Sequence, residues 1–296
     1  MFNKYRQEQF KIYNQSRKAL IANPEILTNL EKYFSDYILE LLKDNVGEIK
    51  KDYDEASALY PFWQNYPPDD RGRQPRGDQY PWIEVGEHSV GVRIARKIGN
   101  DFEVRDTGLP SGPDQRFVLS SKKIASITHG LTDSAWLMLD IKSVGPRDDF
   151  DHTVMSHNQI SGNGIWNSVG LGIKNDVTYA RGVRTKHPFY PALSPIYILS
   201  DGTIAPTITI ALKPVYKMLS EGDRKSDGGQ TFSHLDLVSI PNGLLLLENP
   251  GYLKKNPRLF YPGKDDKGKN PYKVRCRISF PLLRKIDQWR VRNLVD

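Results

Sequence analysis

A chain of 296 residues with 38% hydrophobic and 26% charged residues can bury its own core, which excludes a disordered tail or a mini-protein held by staples. Its formal net charge of +7 favours a polyanionic partner, with nucleic acid leading that list. The single cysteine, Cys276, excludes an intramolecular disulfide and a cysteine zinc cluster, and no apolar run is long enough for a bilayer span. Residues 1–6 lack the apolar run of a signal peptide, so a cytoplasmic protein is expected.

Asn23-Pro24 opens the first predicted helix, with a capping side chain followed by proline at the first helical position. Ile26, Leu27, Leu30, Phe34, Ile38, Leu41 and Leu42 then recur at helical spacing, which gives the helix one face for a core or a dimer partner. Gly47 is the expected stop. Residues 60–81 are rich in proline, glycine and charge, and read as an ordered loop or a linker. Trp63, Tyr66, Tyr80 and Trp82 argue for order, because floppy linkers are poor in aromatics.

Beyond Leu131 strands dominate. Residues 135–142 form a short apolar run ending in charge. Residues 195–199 and 203–212 flank Ser200-Asp201-Gly202, a hairpin signal. Residues 235–240 and 244–247 flank Pro241-Asn242-Gly243, read as a second hairpin. Residues 273–280 alternate basic and apolar side chains, and residues 281–295 read as a closing helix. No internal repeat is visible. The pattern predicts an α/β or α+β fold with a mixed sheet, in one domain over 1–296.

Leu137-Met138-Leu139-Asp140-Ile141-Lys142 is the most informative stretch. In a strand Asp140 and Lys142 share one face, while Leu137, Leu139 and Ile141 share the other. A carboxylate and an ammonium beside a buried strand need a partner, since burying either alone is costly. An ion pair or an exposed strand end would satisfy that need. Upstream, Ser111-Gly112-Pro113-Asp114 leads into the apolar Phe117-Val118-Leu119. If the two strands pair, Asp114 comes beside Asp140, and two neighbouring carboxylates repel unless a cation sits between them. Oxygen ligands without cysteine or paired histidines point to Mg²⁺ rather than zinc. His152 and His157 are five apart and read as loop residues before a metal pair. No serine-nucleophile motif and no nucleotide-binding glycine loop is present.

Pro113-Asp114 followed by Asp140-Ile141-Lys142 resembles the PD-D/ExK nuclease superfamily. Asp140-Ile141-Lys142-Ser143-Val144-Gly145-Pro146-Arg147-Asp148 narrows the likeness to the BglI family of restriction endonucleases. Pro81-Trp82-Ile83-Glu84-Val85-Gly86-Glu87, Asn158-Gln159-Ile160-Ser161-Gly162-Asn163-Gly164 and Pro262-Gly263-Lys264-Asp265-Asp266 are similar too, as is the stretch from Tyr197 to Pro206. The resemblance implies an α/β fold, with a restriction-endonuclease-like central mixed sheet flanked by helices and recognition elements inserted around it. It implies a homodimer cutting double-stranded DNA at an interrupted palindrome, GCC and GGC around five unspecified base pairs, to leave 5′-phosphates and a 3′ overhang. A cognate methyltransferase is implied functionally, not as a stable subunit.

By the same resemblance Asp114 and Asp140 are metal-binding acids, the Ile141 carbonyl is a further metal ligand, and Lys142 is the catalytic lysine. Glu87 is left between a structural carboxylate and an outer metal partner. Lys264, Asp266, Arg275 and Asp148 match base-contacting positions, which suits a site of G·C pairs read by cations on guanine and carboxylates on cytosine. Without the resemblance, that loop and the ridge of Lys273, Arg275 and Arg277 read as solvated charge. Arg147 and residues 158–163 are expected on phosphates. Two other functions fit parts of the pattern: a sequence-specific DNA-binding protein without catalysis, and a repair or recombination nuclease.

Overall fold

Asn23-Pro24 does separate two helices, α1 (Phe2–Ala22) and α2 (Pro24–Lys43), in the computed structural model, which describes residues 2–63, 80–105, 112–144, 151–167, 172–216, 231–263 and 274–295. The proline supplies the break. The Asn23 side chain turns back to donate to the Ala19 carbonyl at 2.9 Å and caps nothing ahead of it. Helix α2 ends before Gly47, where Asn45 Nδ2 donates to the Leu41 carbonyl at 2.5 Å. Gly47 instead lies inside α3 (Val46–Trp63), and α4 (Tyr80–Ile98) follows. Both ends of the expected 60–81 loop are therefore helical, and residues 64–79 lie outside the described residues.

A short helix, α5 (Lys122–Ile127), lies among the first strands: β1 (Glu103–Arg105), β2 (Gln115–Ser120), β3 (Ser134–Ile141) and β4 (His152–Ser156). Next come β5 (Ile165–Trp166), β6 (Ile173–Lys174), β7 (Thr178–Arg181), β8 (Lys186–Phe189) and β9 (Ile196–Ile198). The last are β10 (Ile204–Tyr216), β11 (Phe232–Ile240), β12 (Phe260–Pro262), β13 (Arg275–Ser279) and β14 (Val291–Val295). The central sheet runs β1-β2-β3-β10-β11-β14, with β9 on the leading end of β10. Among the ladders of the described residues the β3–β10 one is parallel, from Trp136 opposite Thr207 to Ile141 opposite Leu212, and the others are antiparallel, so the sheet is mixed as predicted. A smaller antiparallel sheet, β12-β13-β4, packs beside it.

The α2 stripe buries into the core and not against a partner. Leu30, Phe34, Ile38 and Leu42 join Leu137, Leu139 and Ile141 of β3 in one cluster with α3 and α4. Trp136 and Met138, one residue out of phase, fall in a different cluster on the opposite face. No helix among the described residues is long and apolar enough to cross a membrane.

The 200–202 hairpin forms as read: Leu199 N–H donates to the Thr203 carbonyl at 2.8 Å, and Gly202 takes φ +87°. The second hairpin does not form. Residues 243–247 are a helical turn, and Asn242 is its cap, accepting the Leu244 N–H at 2.9 Å. The Asn242 amide also donates to the carbonyls of Pro195 and Thr207, each at 2.9 Å. Gly243 is there for close approach, since a Cβ would sit 1.8 Å from the Gly162 carbonyl oxygen. The closing helix also stops early. Phe280–Ile286 is helical, then a 3₁₀ turn leads into β14, which pairs with β11.

Arg290 explains that ending. It is fully buried, and its Nη1 lies 2.8 Å from Glu31 Oε2 on α2, also fully buried. Glu31 Oε1 accepts the Asn242 N–H at 2.5 Å. Burial pushes the Glu31 carboxyl pKa up, and Arg290 and the Asn242 N–H oppose that rise. One ion pair thus ties the N-terminal helices, the 242–247 turn and the C-terminal strand together. Arg290→Leu would leave Glu31 buried without its cation, so we expect a loss of about 3–5 kcal/mol at neutral pH, measured by denaturant unfolding.

Candidate active site

Asp140 is the penultimate residue of β3 and fully buried, an uncommon place for a carboxylate. Lys142, just past the strand, returns to the same face and brings Nζ to 2.5 Å from Asp140 Oδ2. The lysine side chain is 28% exposed, so it reaches from the buried acid to solvent. Asp140 Oδ1 accepts a hydrogen bond from Gln159 Nε2. Oδ2 is buried and receives no aligned hydrogen bond, although the ammonium touches it.

The antiparallel β2–β3 register places Gln115 opposite Leu139, which carries Asp114 to the same end of the sheet. Asp114 is exposed, and its Oδ2 accepts the Ile141 backbone N–H at 2.6 Å. Helix α4 closes the third side. A Cβ on Gly86 would meet Ser143 Oγ at 2.6 Å, and one on Gly91 would meet Ile141 Cδ1 at 2.9 Å. Glycine at both positions lets the helix approach the strand end, and it brings Glu87 with it. Tyr53 of α3 braces the same point, its hydroxyl 3.2 Å from Ser143 Oγ.

The electrostatics follow from that crowding. Burial pushes the Asp140 pKa up to about 7; Lys142 pulls it down, and Asp114 and Glu87 push it up. Glu87 is therefore within electrostatic reach of the pair. A divalent cation would relieve this repulsion, and the donors suit a hard one: two carboxylates and the Ile141 carbonyl. Among the described residues no group of three or more His, Cys, Asp or Glu could hold a metal, so a cation at the two carboxylates would need backbone or water oxygens as well. His152 is no metal partner: it is buried, and its Nε2 receives Arg277 Nε at 3.1 Å.

The other sequence candidates divide. Arg275 opens β13, half-buried, opposite Ser156 of β4. Lys264, Asp266, Asp148 and Arg147 lie outside the described residues, as does Lys273. Arg277 is not part of an open ridge, because its Nη1 also donates to the Pro262 carbonyl at 3.1 Å. Residues 158–163 were expected on phosphates, yet Gln159, Ser161 and Asn163 are buried. Ser161 Oγ accepts the Gly243 N–H at 3.0 Å, and Asn163 Nδ2 donates to Asp176 at 2.7 Å. Gln159 reaches Asp140 instead. The sequence marks the segment but not that contact, which depends on how β4 lies against β3.

The raised Asp140 pKa has a sign that can be tested. The folded, metal-free protein holds this proton up to pH of about 7, while the unfolded chain releases it near the ordinary value of 3.8. Stability from this group is present below that value and is lost as pH rises through the folded pKa. Asp140→Asn should therefore stabilise the metal-free protein by about 2–4 kcal/mol at pH 8 and very little at pH 4, read from thermal or denaturant unfolding.

The family model described as restriction endonuclease BglI matches residues 8–294. The type II restriction enzyme BglI of Bacillus subtilis is 47% identical over 290 residues, covering 97% of this chain and 96% of its own. The crystal structure of BglI bound to its DNA recognition sequence superposes with a TM-score of 0.90 at 46% identity, covering 100% of this chain and 99% of that one. Tetrameric SfiI bound to cognate DNA shares the fold alone, with a TM-score of 0.62 at 15% identity over 91% of this chain and 84% of that one. By family model, sequence identity and superposition together, the chain belongs to the BglI family of restriction endonucleases.

Proposed function

We propose that this chain is a Mg²⁺-dependent type II restriction endonuclease acting on double-stranded DNA at GCCNNNNNGGC. The observation that carries the reading is the convergence of Asp114, Asp140 and Lys142 at one end of the β2–β3 pair, with Lys142 Nζ 2.5 Å from Asp140. It lies in a chain whose family relative was crystallised on its recognition sequence.

Asp114, Asp140 and the Ile141 carbonyl would hold Mg²⁺, which supplies charge neutralisation at the phosphate and a lowered pKa for water. Lys142 turns from Asp140 towards the attacking water and stabilises the negative charge that builds on the phosphoryl oxygens. The water oxygen gives up a proton to solvent and bonds to phosphorus as the bond from phosphorus to the 3′ oxygen breaks, and the leaving 3′ oxygen takes up a proton from a second water. A 5′-phosphate and a 3′-hydroxyl result, and the stagger of the two cuts would give a 3′ overhang.

The two-fold symmetry of an interrupted palindrome supports a homodimer, each subunit reading one half-site. Arg275, Lys264, Asp266 and Asp148 are proposed as the base readers. The chain acts as one domain over 1–296. The proposed location is the cytoplasm, with host DNA protected by a separate methyltransferase.

Two experiments test this. Digestion of a long DNA of known sequence with Mg²⁺, followed by end sequencing, should place every cut in GCCNNNNNGGC; scattered or structure-directed cuts would favour a repair nuclease. Specific retention of DNA with no cutting under any divalent metal would favour a binding protein. Arg275→Ala should cost about 1–3 kcal/mol of discrimination at one base pair. Equal weakening on all sequences would make Arg275 a phosphate contact.

A further inference from the structure

Gln159 ends the 3₁₀ turn His157–Gln159 after β4 and is 7% exposed. Its Oε1 accepts the Ser156 backbone N–H at 2.7 Å, part of a capping box that closes the turn. A carboxamide has one accepting end and one donating end, so that bond fixes which way the side chain faces. The donating end is then committed to Asp140 Oδ1, with the Gly112 carbonyl as a second acceptor at 3.4 Å. Ser156 is in turn the ladder partner of Arg275 on β13.

We propose that Gln159 is a positioning residue: it sets the orientation of the Asp140 carboxylate and joins the strand carrying Arg275 to it. The inference rests on the reading of Asp140 as the metal-holding acid and Arg275 as a base reader. Its physical content is geometric. One Asp140 oxygen is pinned by an amide donor whose own orientation is locked by backbone. The other, Oδ2, therefore has its direction set whether or not Lys142 stays against it. Donors of this kind behind a ligating carboxylate typically control metal affinity and rate by about 10–100-fold. The hydrogen bonds run from Asp140 through Gln159 to the Ser156 N–H. Arg275 is the cross-strand neighbour of Ser156 without a ladder bond to it, since its carbonyl accepts the Gly263 N–H at 3.0 Å, so the coupling passes through side-by-side packing of the two residues. A shift of that strand on base contact moves the group that aims the carboxylate.

The test uses the intact protein as wild type, Gln159→Met, Gln159→Glu, Arg275→Ala and the Gln159→Met/Arg275→Ala double variant. Terbium alone, followed by sensitised luminescence, reports metal binding without activity. Single-turnover cleavage and DNA affinity report function. For Gln159→Met the terbium midpoint should rise, and the cutting rate fall, by about 10–100-fold, with DNA affinity kept. Gln159→Glu retains the acceptor for Ser156 but sets a second acid against Asp140, so it should melt below the wild type at neutral pH, recover at lower pH, and cut more slowly. An unchanged terbium midpoint and rate in Gln159→Met would overturn the proposal. If that variant does not fold, an unchanged rate in Gln159→Glu does so. The double variant should lose less than the product of the single losses; losses that simply multiply would overturn the link to Arg275. Failure of the wild type to cut DNA would sink the nuclease reading, while the terbium titration would still decide the role of Gln159.

Discussion

A fully buried carboxylate at the end of a central strand is the constraint around which this molecule is arranged. Asp140 sits among apolar strands, where its charge is disfavoured unless something positive or hydrogen-bonding is supplied. The surroundings supply several such groups. Lys142 comes from just past the end of the same strand, and Gln159 comes from the 3₁₀ turn that follows β4 of the adjoining sheet. Asp114 and Glu87 work in the opposite sense and hold the pKa up. A structural ion pair would not gather further acids around its own carboxylate. A cation-binding centre would, because a cation offsets their mutual repulsion.

The rest of the fold reads as the means of holding that strand end still. The parallel β3–β10 ladder fixes its height, and β2 delivers Asp114 beside it. Glycines 86 and 91 allow α4 to press on residues 141–143. Far from the centre, the buried Glu31–Arg290 pair locks both chain termini and the 242–247 turn to the same core. Such a buried pair is costly to break, because removing either partner leaves the other charge buried alone.

Strand β3 was legible because its information is local. Alternation in residues 137–142 assigned faces, and the two faces do enter different clusters. The α2 stripe and the 200–202 hairpin were legible for the same reason. The errors came where tertiary partners override local signals. Pro241-Asn242-Gly243 has the chemistry of a turn, but Asn242 is recruited as a helix cap and Gly243 as a point of close approach to Gly162. Residues 281–295 have helical periodicity in part, but Arg290 is drawn into the core by Glu31 and the chain leaves as a strand. The role of Gln159 was invisible for a related reason: its two partners are 3 and 19 residues away and come from different sheets. Family resemblance supplied the functional class, which spacing alone left open between an ion pair and a metal site.

The central claim is that Lys142 acts in cleavage with Asp114 and Asp140, beyond merely neutralising a buried acid. The most direct measurement is single-turnover cutting of a duplex bearing GCCNNNNNGGC by Lys142→Ala with Mg²⁺, alongside its DNA affinity. The account predicts a rate lower by about 10²–10³-fold with specific binding retained. Cutting at the wild-type rate would contradict it.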